Sequence, residues 1–406
     1  MADLLISLSW GCGRSLGARQ KLLWPGRGRT YCRLDPRVKD GTDAMLSKTS
    51  PSKTRRVLRA LGPFFGLAIV ILVFVAMLAL KDVADQMEKE TRTGFSGWRQ
   101  AAKSCPFDGL KAFVSVANFK TVLAQTVIVG IGALGMTMII VSGGIDLSVG
   151  SAVALTSVLG ATLLNKGWNT GSAVFMTVLA GGAIGLVNGS LVAGLRLMPF
   201  IVTLGMMGVG RGLAKWIAGN QTVNYPFDSP VSNLMKMDDL DHLFPLAQGV
   251  WIALALAAVM AVVMRQTVFG RYIFAIGSNE ATARLCGIRV PLQKILIYSL
   301  AGLFFGCAGL MQLTRLTQGD PSGAVGLELD MIAAVVIGGA SLSGGSGSIL
   351  GSMIGALVIQ TLRNGSSLMN WPTFTQEIII GVVIILAVGL DRLRQSRAAS
   401  WFGHDS

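Results

Sequence analysis

Long stretches of this chain carry no charged residue, and that feature alone leaves very few folds open to it. Residues 62–80, 121–145, 147–165, 167–195, 197–210, 246–264, 295–314, 331–362 and 378–390 contain no Asp, Glu, Lys or Arg. A bilayer core takes about 20 apolar residues per helix. The run from 197 continues as a span toward 218, and 378–390 completes a span with part of the segment before it. The run 331–362 is too long for one helix and is punctuated by a Gly/Ser cluster, so it divides in two. The expected fold is therefore all-α: a polytopic membrane helix bundle of about ten transmembrane helices with glycine-rich broken segments. Charged residues make up 14% of the chain, against roughly 25% in a soluble domain. So few charges cannot cover a water-facing surface, and the apolar excess has to meet the lipid bilayer.

Charge gives the orientation. Residues 1–61 hold 13 Lys/Arg against 4 Asp/Glu, which is +9 of the total +14. Positive segments stay cytoplasmic, so 1–61 reads as a basic, disordered cytoplasmic tail ahead of a transmembrane domain over 62–392. Loop 219–245 has a net charge of −3, from Asp228, Asp238, Asp239 and Asp241 against Lys236, and falls outside. Loop 265–294 has +4 and falls inside with the tail 393–406, which puts both termini in the cytoplasm. Residues 81–120 read as an extracytoplasmic insertion, with seven basic residues diluted by five acids. No aromatic-interleaved basic module follows, so nucleic acid is not an expected partner.

Metal chemistry is not expected either, since there are two histidines and no CxxC among Cys12, Cys32, Cys105, Cys286 and Cys307. Cys286 and Cys307 read as small packing residues.

The chain also repeats itself. Residues 143–151 read GGIDLSVGS and 338–346 read GGASLSGGS, an offset of 195 that also pairs Ser157 with Ser352 and Gly160 with Gly355. Broken apolar segments in matching halves point to a transport pathway, while GG and GS pairs also simply let helices pack closely. Gly143, Gly144, Asp146, Ser148, Gly338, Gly339, Ser341 and Ser343 are accordingly candidate pathway-lining residues. Asp146 is the sharpest, because a carboxylate at helix-centre depth costs about 2.5–3.5 kcal/mol. It either contacts solute hydroxyls or caps the helix that starts at Ser148. Asn188, inside an uncharged run, lines the pathway or joins two helices by hydrogen bonds. Glu328 and Asp330 precede the eighth span and are candidates for an outer-face contact, or simply complement a helix N-terminus.

Residues 268–289, VFGRYIFAIGSNEATARLCGIR, hold a helix-compatible NEATARL between Gly277 and Gly287, with Glu280 and Arg284 spaced i, i+4 for an ion pair. This segment closely resembles the cytoplasmic loop of the ribose/xylose-type ABC sugar permeases, within the superfamily that includes branched-chain amino acid permeases. GGIDLSVGS, NGSLVAGLRLMPFIVTLG and LDMIAAVVIGGASLSGGSGSILGSMIGAL are similar to that family's signatures in the same order, over roughly 110–392. The tail, the enlarged 81–120 segment and Cys286 depart from it.

The resemblance implies a permease subunit of the cytoplasmic (inner) membrane that is not itself an enzyme. In it Gly277, Asn279, Glu280, Ala281, Arg284 and Gly287 would form a coupling helix docked on an ATP-binding cassette ATPase subunit. It further implies an extracytoplasmic sugar-binding protein and a second permease chain, with ATP and Mg held by the ATPase and no cofactor on this chain. No GxxxxGK[ST] pattern occurs, so nucleotide chemistry is not expected here. The rival class is a self-sufficient secondary transporter using Asp146 or Glu328 as an ion site.

Residues 1–44 lack periodic apolar structure, and the apolar stretch 4–10 has Asp3 where a signal peptide would carry a basic residue. A chain beginning at Met45 is therefore expected to insert and transport as the full-length chain does. Parallel membrane-fraction and uptake assays check this, and failure of the shortened chain alone would show that the early segment matters.

Overall fold

The computed structural model describes residues 53–90, 94–226, 228–237 and 246–402. The expected tail up to 52, His242, His404 and the three acids at 238–241 lie outside the described residues. In chain order the helices are α1 Lys53–Lys89, α2 Gly94–Ser104, α3 Asp108–Val114, α4 Val116–Val141, α5 Val149–Asn165, α6 Thr170–Gly194 and α7 Pro199–Ala218. They continue with α8 Gln248–Gln266, α9 Val268–Ser278, α10 Glu280–Leu285, α11 Val290–Leu316, α12 Leu327–Ile337, α13 Ile349–Leu368 and α14 Thr373–Phe402. Two short strands, β1 Val223–Asn224 and β2 Gln318–Gly319, pair antiparallel with Val223 opposite Gly319.

Each of the ten expected spans coincides with a helix. Six are long and apolar enough to cross a membrane unaided: α1 from Gly62, α4, α6, α7, α8 and α11. The 11 residues of α12 reach only about 16 Å, roughly half a hydrocarbon core.

Burial sorts the helices into centre and rim. α4 is apolar all round and its residues from Thr126 to Val141 are buried, which is what an all-apolar helix requires. α6, α7 and α8 bury a minority of their residues and expose Phe175, Leu186, Phe200, Trp216, Trp251 and Val259. On a bilayer-facing rim that exposure costs nothing.

Lipid supplies no hydrophobic drive for helix association, so close packing has to. The α6–α11 contact shows how. Gly181, Gly185 and Gly189 repeat every fourth residue on α6; along α11, Gly181 meets Gly302 and Gly306, Gly185 meets Tyr298 and Gly302, and Gly189 meets Ile295 and Tyr298. A Cβ added at Gly185 would lie 2.1 Å from the Tyr298 carbonyl oxygen, and one at Gly181 2.4 Å from that of Gly302. The two backbones touch.

Boundaries differ from expectation in informative ways. α1 already begins at Lys53, inside the expected tail, and runs nine residues past Leu80 into the insertion. Charges end a membrane span without ending a helix. The insertion folds back on its neighbours: the Asp82 carboxylate accepts the Leu110 amide at 2.9 Å, and Lys81 Nζ donates to the Met369 carbonyl at 3.2 Å.

The repeat survives as architecture with a shifted register. α4 and α12 both end on a left-handed glycine, Gly143 (φ 84°) and Gly339 (φ 91°), an offset of 196. α5 and α13 then begin at 149 and 349, because the second break is four residues longer. Ser157 and Ser352 are therefore not equivalent positions.

Replacing Gly185 by Leu should separate α6 from α11. Overpacking costs about 1–3 kcal/mol even where neighbours can adjust, and here the obstacle is backbone. The expected outcome is loss of monodisperse detergent-solubilised protein, with Gly205→Leu, which faces open space, behaving as wild type in size-exclusion chromatography.

Candidate functional site

The basic loop builds a short helix held as a handle. Asn279 is its N-cap, its side-chain oxygen accepting the Thr282 amide at 2.9 Å, as an N-cap Asn does. The helix closes at Gly287 (φ 84°), where the Ile288 amide reaches back to the Ala283 carbonyl at 3.1 Å. Glu280 pairs with Arg284 at 2.8 Å, the expected i, i+4 contact, and also with Lys294 of α11 at 2.8 Å. The second pair ties α10 to the helix that crosses the bundle. The hydrogen bond from Lys294 holds the Glu280 carboxyl below the usual carboxylate range, with partial burial opposing it and Arg284 assisting. Ala283 is buried against Ile276 and Val290. Ala281, Thr282, Arg284 and Cys286 face outward, and Leu285 is 88% exposed. Cys286 is thus an exposed C-cap and not the packing residue expected, since it sits at the outer end of a surface helix.

Gly277 has a different reason from the one expected. It lies within α9 rather than bounding α10, and its backbone approaches both helix breaks. A Cβ there would sit 1.8 Å from the Val141 carbonyl oxygen and 2.6 Å from the Gly345 amide. Those two groups are themselves hydrogen-bonded at 2.8 Å. The end of α4, the loop between α12 and α13, and the segment leading to α10 therefore meet at one point.

At the first break Asp146, Ser148 and Asn188 come together, each 1% exposed. Asp146 Oδ1 accepts the Ser148 amide at 2.8 Å and the Ser148 hydroxyl at 2.6 Å, which fixes the turn ahead of α5, whose N-cap is Ser148. Asn188 donates to Ser148 Oγ at 2.8 Å and lies 3.4 Å from Asp146 Oδ2, which joins α6 to the break. Gly144 abuts the buried Tyr298 hydroxyl. At the second break Gly338 packs on Gly351 and Ser341 is buried, while Gly143, Gly339 and Ser343 are exposed.

The acidic pair at the other end divides. Glu328 is half-buried, with its carboxylate accepting the Gly326 amide at 3.3 Å. Asp330 is 1% exposed and does not offer an outer surface, because Arg363 of α13 grips its carboxylate through two bonds of 2.8 and 2.9 Å. Sequence reasoning missed Arg363, Lys294 and Tyr298. The first two were visible only as charges near span ends, and their partners lie 33 and 14 residues away.

Residues 118–388 match the family described as branched-chain amino acid transport system / permease component. The ribose import permease protein of Escherichia coli (strain K12) is 40% identical over 283 residues, covering 70% of this chain and 88% of the relative. The L-arabinose ABC transporter permease protein of Azospirillum brasilense is 37% identical over 70% of this chain and 83% of its own length. The xylose transport system permease protein of Escherichia coli (strain K12) is 33% identical over 87% of this chain and its whole length. No solved structure matches the chain.

The two ion pairs of Glu280 persist above the usual carboxylate pKa, near 4.3, and are lost as pH falls through the lowered value. The exposed i, i+4 pair contributes about 0.3–0.5 kcal/mol, and the part-buried Lys294 pair up to about 1 kcal/mol. Glu280→Gln should therefore raise hydrogen exchange of the amides at 282–288 by about two- to fivefold between pH 6 and 8, with wild-type protection constant over that window. Identical exchange in the two proteins would show that packing of Ala283 alone holds α10.

Proposed function

This chain belongs to the branched-chain amino acid transport system permease-component family, and we propose on that premise that it is the membrane-spanning subunit of an ATP-driven importer for a monosaccharide or related small polar solute. The observation that carries the reading is the meeting of Gly277 with both helix breaks. A partner that moves α10 moves the end of α9, and with it the backbone at 141–143 and 344–345. Nucleotide-driven closure of an ATP-binding cassette ATPase would thus reach the glycine-broken helices as a rigid-body displacement. ATP and Mg belong to that separate subunit. The exposed face of α10, with Leu285 at its tip, is the docking surface. Beside it a cavity of about 760 Å³ is rimmed by Arg196, Arg284, Arg289 and Lys294 and admits a partner's loop.

The remaining assignments follow from the same topology. Loop 265–294 faces the cytoplasm of a bacterial inner membrane, with both termini on that side. An extracytoplasmic binding protein delivers solute at the opposite end, and a second permease chain, identical or related, completes the pathway. Asp146, Ser148 and Asn188 couple the first break to α6, and Glu328 stands near the delivery end. In an ion-driven carrier the buried carboxylates would have to be free to take the ion. Here Ser148 and Asn188 occupy Asp146, while Glu328 accepts the Gly326 amide through Oε1 and keeps Oε2 unpartnered, so the uptake assay below decides for that residue.

In proteoliposomes, sugar uptake should require ATP, the ATPase and the binding protein together. Uptake by this chain alone on an ion gradient would falsify the proposal. Arg284→Glu and Glu280→Ala should lower ATPase co-purification and uncouple hydrolysis from uptake while leaving binding-protein docking intact. If both variants keep wild-type ATPase retention and uptake, these two residues drop out of the coupling surface.

A further inference from the structure

We propose that a polar cavity at the end of the bundle opposite α10 is where this permease receives a neutral polyhydroxyl solute. The assignment rests on the importer reading above. The cavity is about 340 Å³, at the small end of ligand pockets, which run from roughly 300 to 1,000 Å³. Five helices supply its walls: Gln125 from α4, Gln312 from α11, Asp330 from α12, Gln360 and Arg363 from α13, and Gln376 from α14. Arg315, exposed to solvent, stands at its rim. Along α11, Gln312 lies about 33 Å from Val290, beside which α10 docks.

The chemistry of the lining selects the ligand class. Gln376 donates to the Trp371 carbonyl at 3.3 Å, but among the described residues Gln125, Gln312 and Gln360 have no side-chain hydrogen-bond partner. Gln360 is only 5% exposed. The three amides turn to the cavity instead of to protein partners, and each carries two donors and an acceptor. A sugar hydroxyl, itself donor and acceptor, matches them. A zwitterionic amino acid would need a free carboxylate as well as a free cation; Arg315 offers the cation, but Asp330, the carboxylate in the lining, is bound to Arg363. Asp330 also sits in the first turn of α12, which runs directly to the break at Gly338. Solute in the cavity therefore leans on the short helix that ends at the coupling point.

The test uses the complete transporter, this chain with its ATPase and binding protein, reconstituted and offered D-ribose, D-xylose and L-arabinose. With Gln125, Gln312 and Gln360 all changed to Leu, maximal uptake per transporter should fall about tenfold or more, since each lost hydrogen bond is worth a few-fold. The half-saturating sugar concentration, set by the binding protein, the basal ATPase rate and subunit co-purification should not change. A merely structural role would move the last two. Gln312→Asn, which keeps an amide, should retain most uptake. If the triple variant does not insert, each single Leu variant, expected to lose about two- to fivefold, decides the question in the same way. A variant that assembles and transports within twofold of wild type overturns the site and leaves the importer reading standing. Wild-type transporter that moves none of the three sugars overturns the importer reading, and the site with it.

Discussion

The carbonyl of Val141 is the group on which the rest of this structure depends. It belongs to the last turn of α4, inside a bundle where water is scarce and every backbone polar group needs a partner. The Gly345 amide, from the other broken pair, supplies that partner at 2.8 Å. Gly277 closes over the bond with nothing but backbone. Two breaks that would each be costly alone are thus satisfied by one another, and the segment leading to the exposed α10 acts as their lid. The exposed α10 is joined to that bond through Gly277, so a displacement of α10 reaches it directly.

Much of this was legible in the chain. Lipid demands uncharged runs, so the helices at the ten expected spans announced themselves, six of them long and apolar enough to cross a membrane, and the polar break between 142 and 148 stood out against apolar flanks. The α10 helix was readable because Asn279 and the Glu280–Arg284 spacing are local signals, complete within six residues. The reason for Gly277 was not readable, since a glycine required by close approach has no local signature. Arg363 and Asp330 were each visible, but their pairing across α12 and α13 is a tertiary fact. The glutamines of the polar cavity escaped for a plainer reason. Gln125, Gln312 and Gln360 carry no charge and so blend into the uncharged spans, although each has as much hydrogen-bonding capacity as an Asn. The repeat was seen with the wrong register, because four extra residues in the second break disguise the match between α5 and α13.

Electrostatics and packing divide the labour along the bundle axis. At the α10 end the charges are exposed and paired pliably, Glu280 shared between Arg284 and Lys294. At the far end a single ion pair is buried and bidentate. Removing one partner of a buried pair leaves a stranded charge costing about 3–5 kcal/mol, whereas an exposed pair contributes less than about 1 kcal/mol. One end can therefore be rearranged at little cost, and the other holds its shape.

The burial of α4 on every side has a consequence for how the protein is made. Thr137 Oγ1 of α4 lies within hydrogen-bond distance, 2.7 Å, of Ser352 Oγ of α13, 215 residues later in the chain. When α4 leaves the ribosome, neither α11 nor α13 exists, and its whole circumference must be accepted by lipid. It is apolar enough to enter on its own, which is why a helix that ends fully enclosed still carries a lipid-soluble surface. Its threonines satisfy their hydroxyls meanwhile on their own helix, Thr126 on the Val122 carbonyl and Thr137 on that of Ala133. The innermost element is thus first dissolved in the membrane and only afterwards walled off from it, as synthesis delivers the helices that surround it.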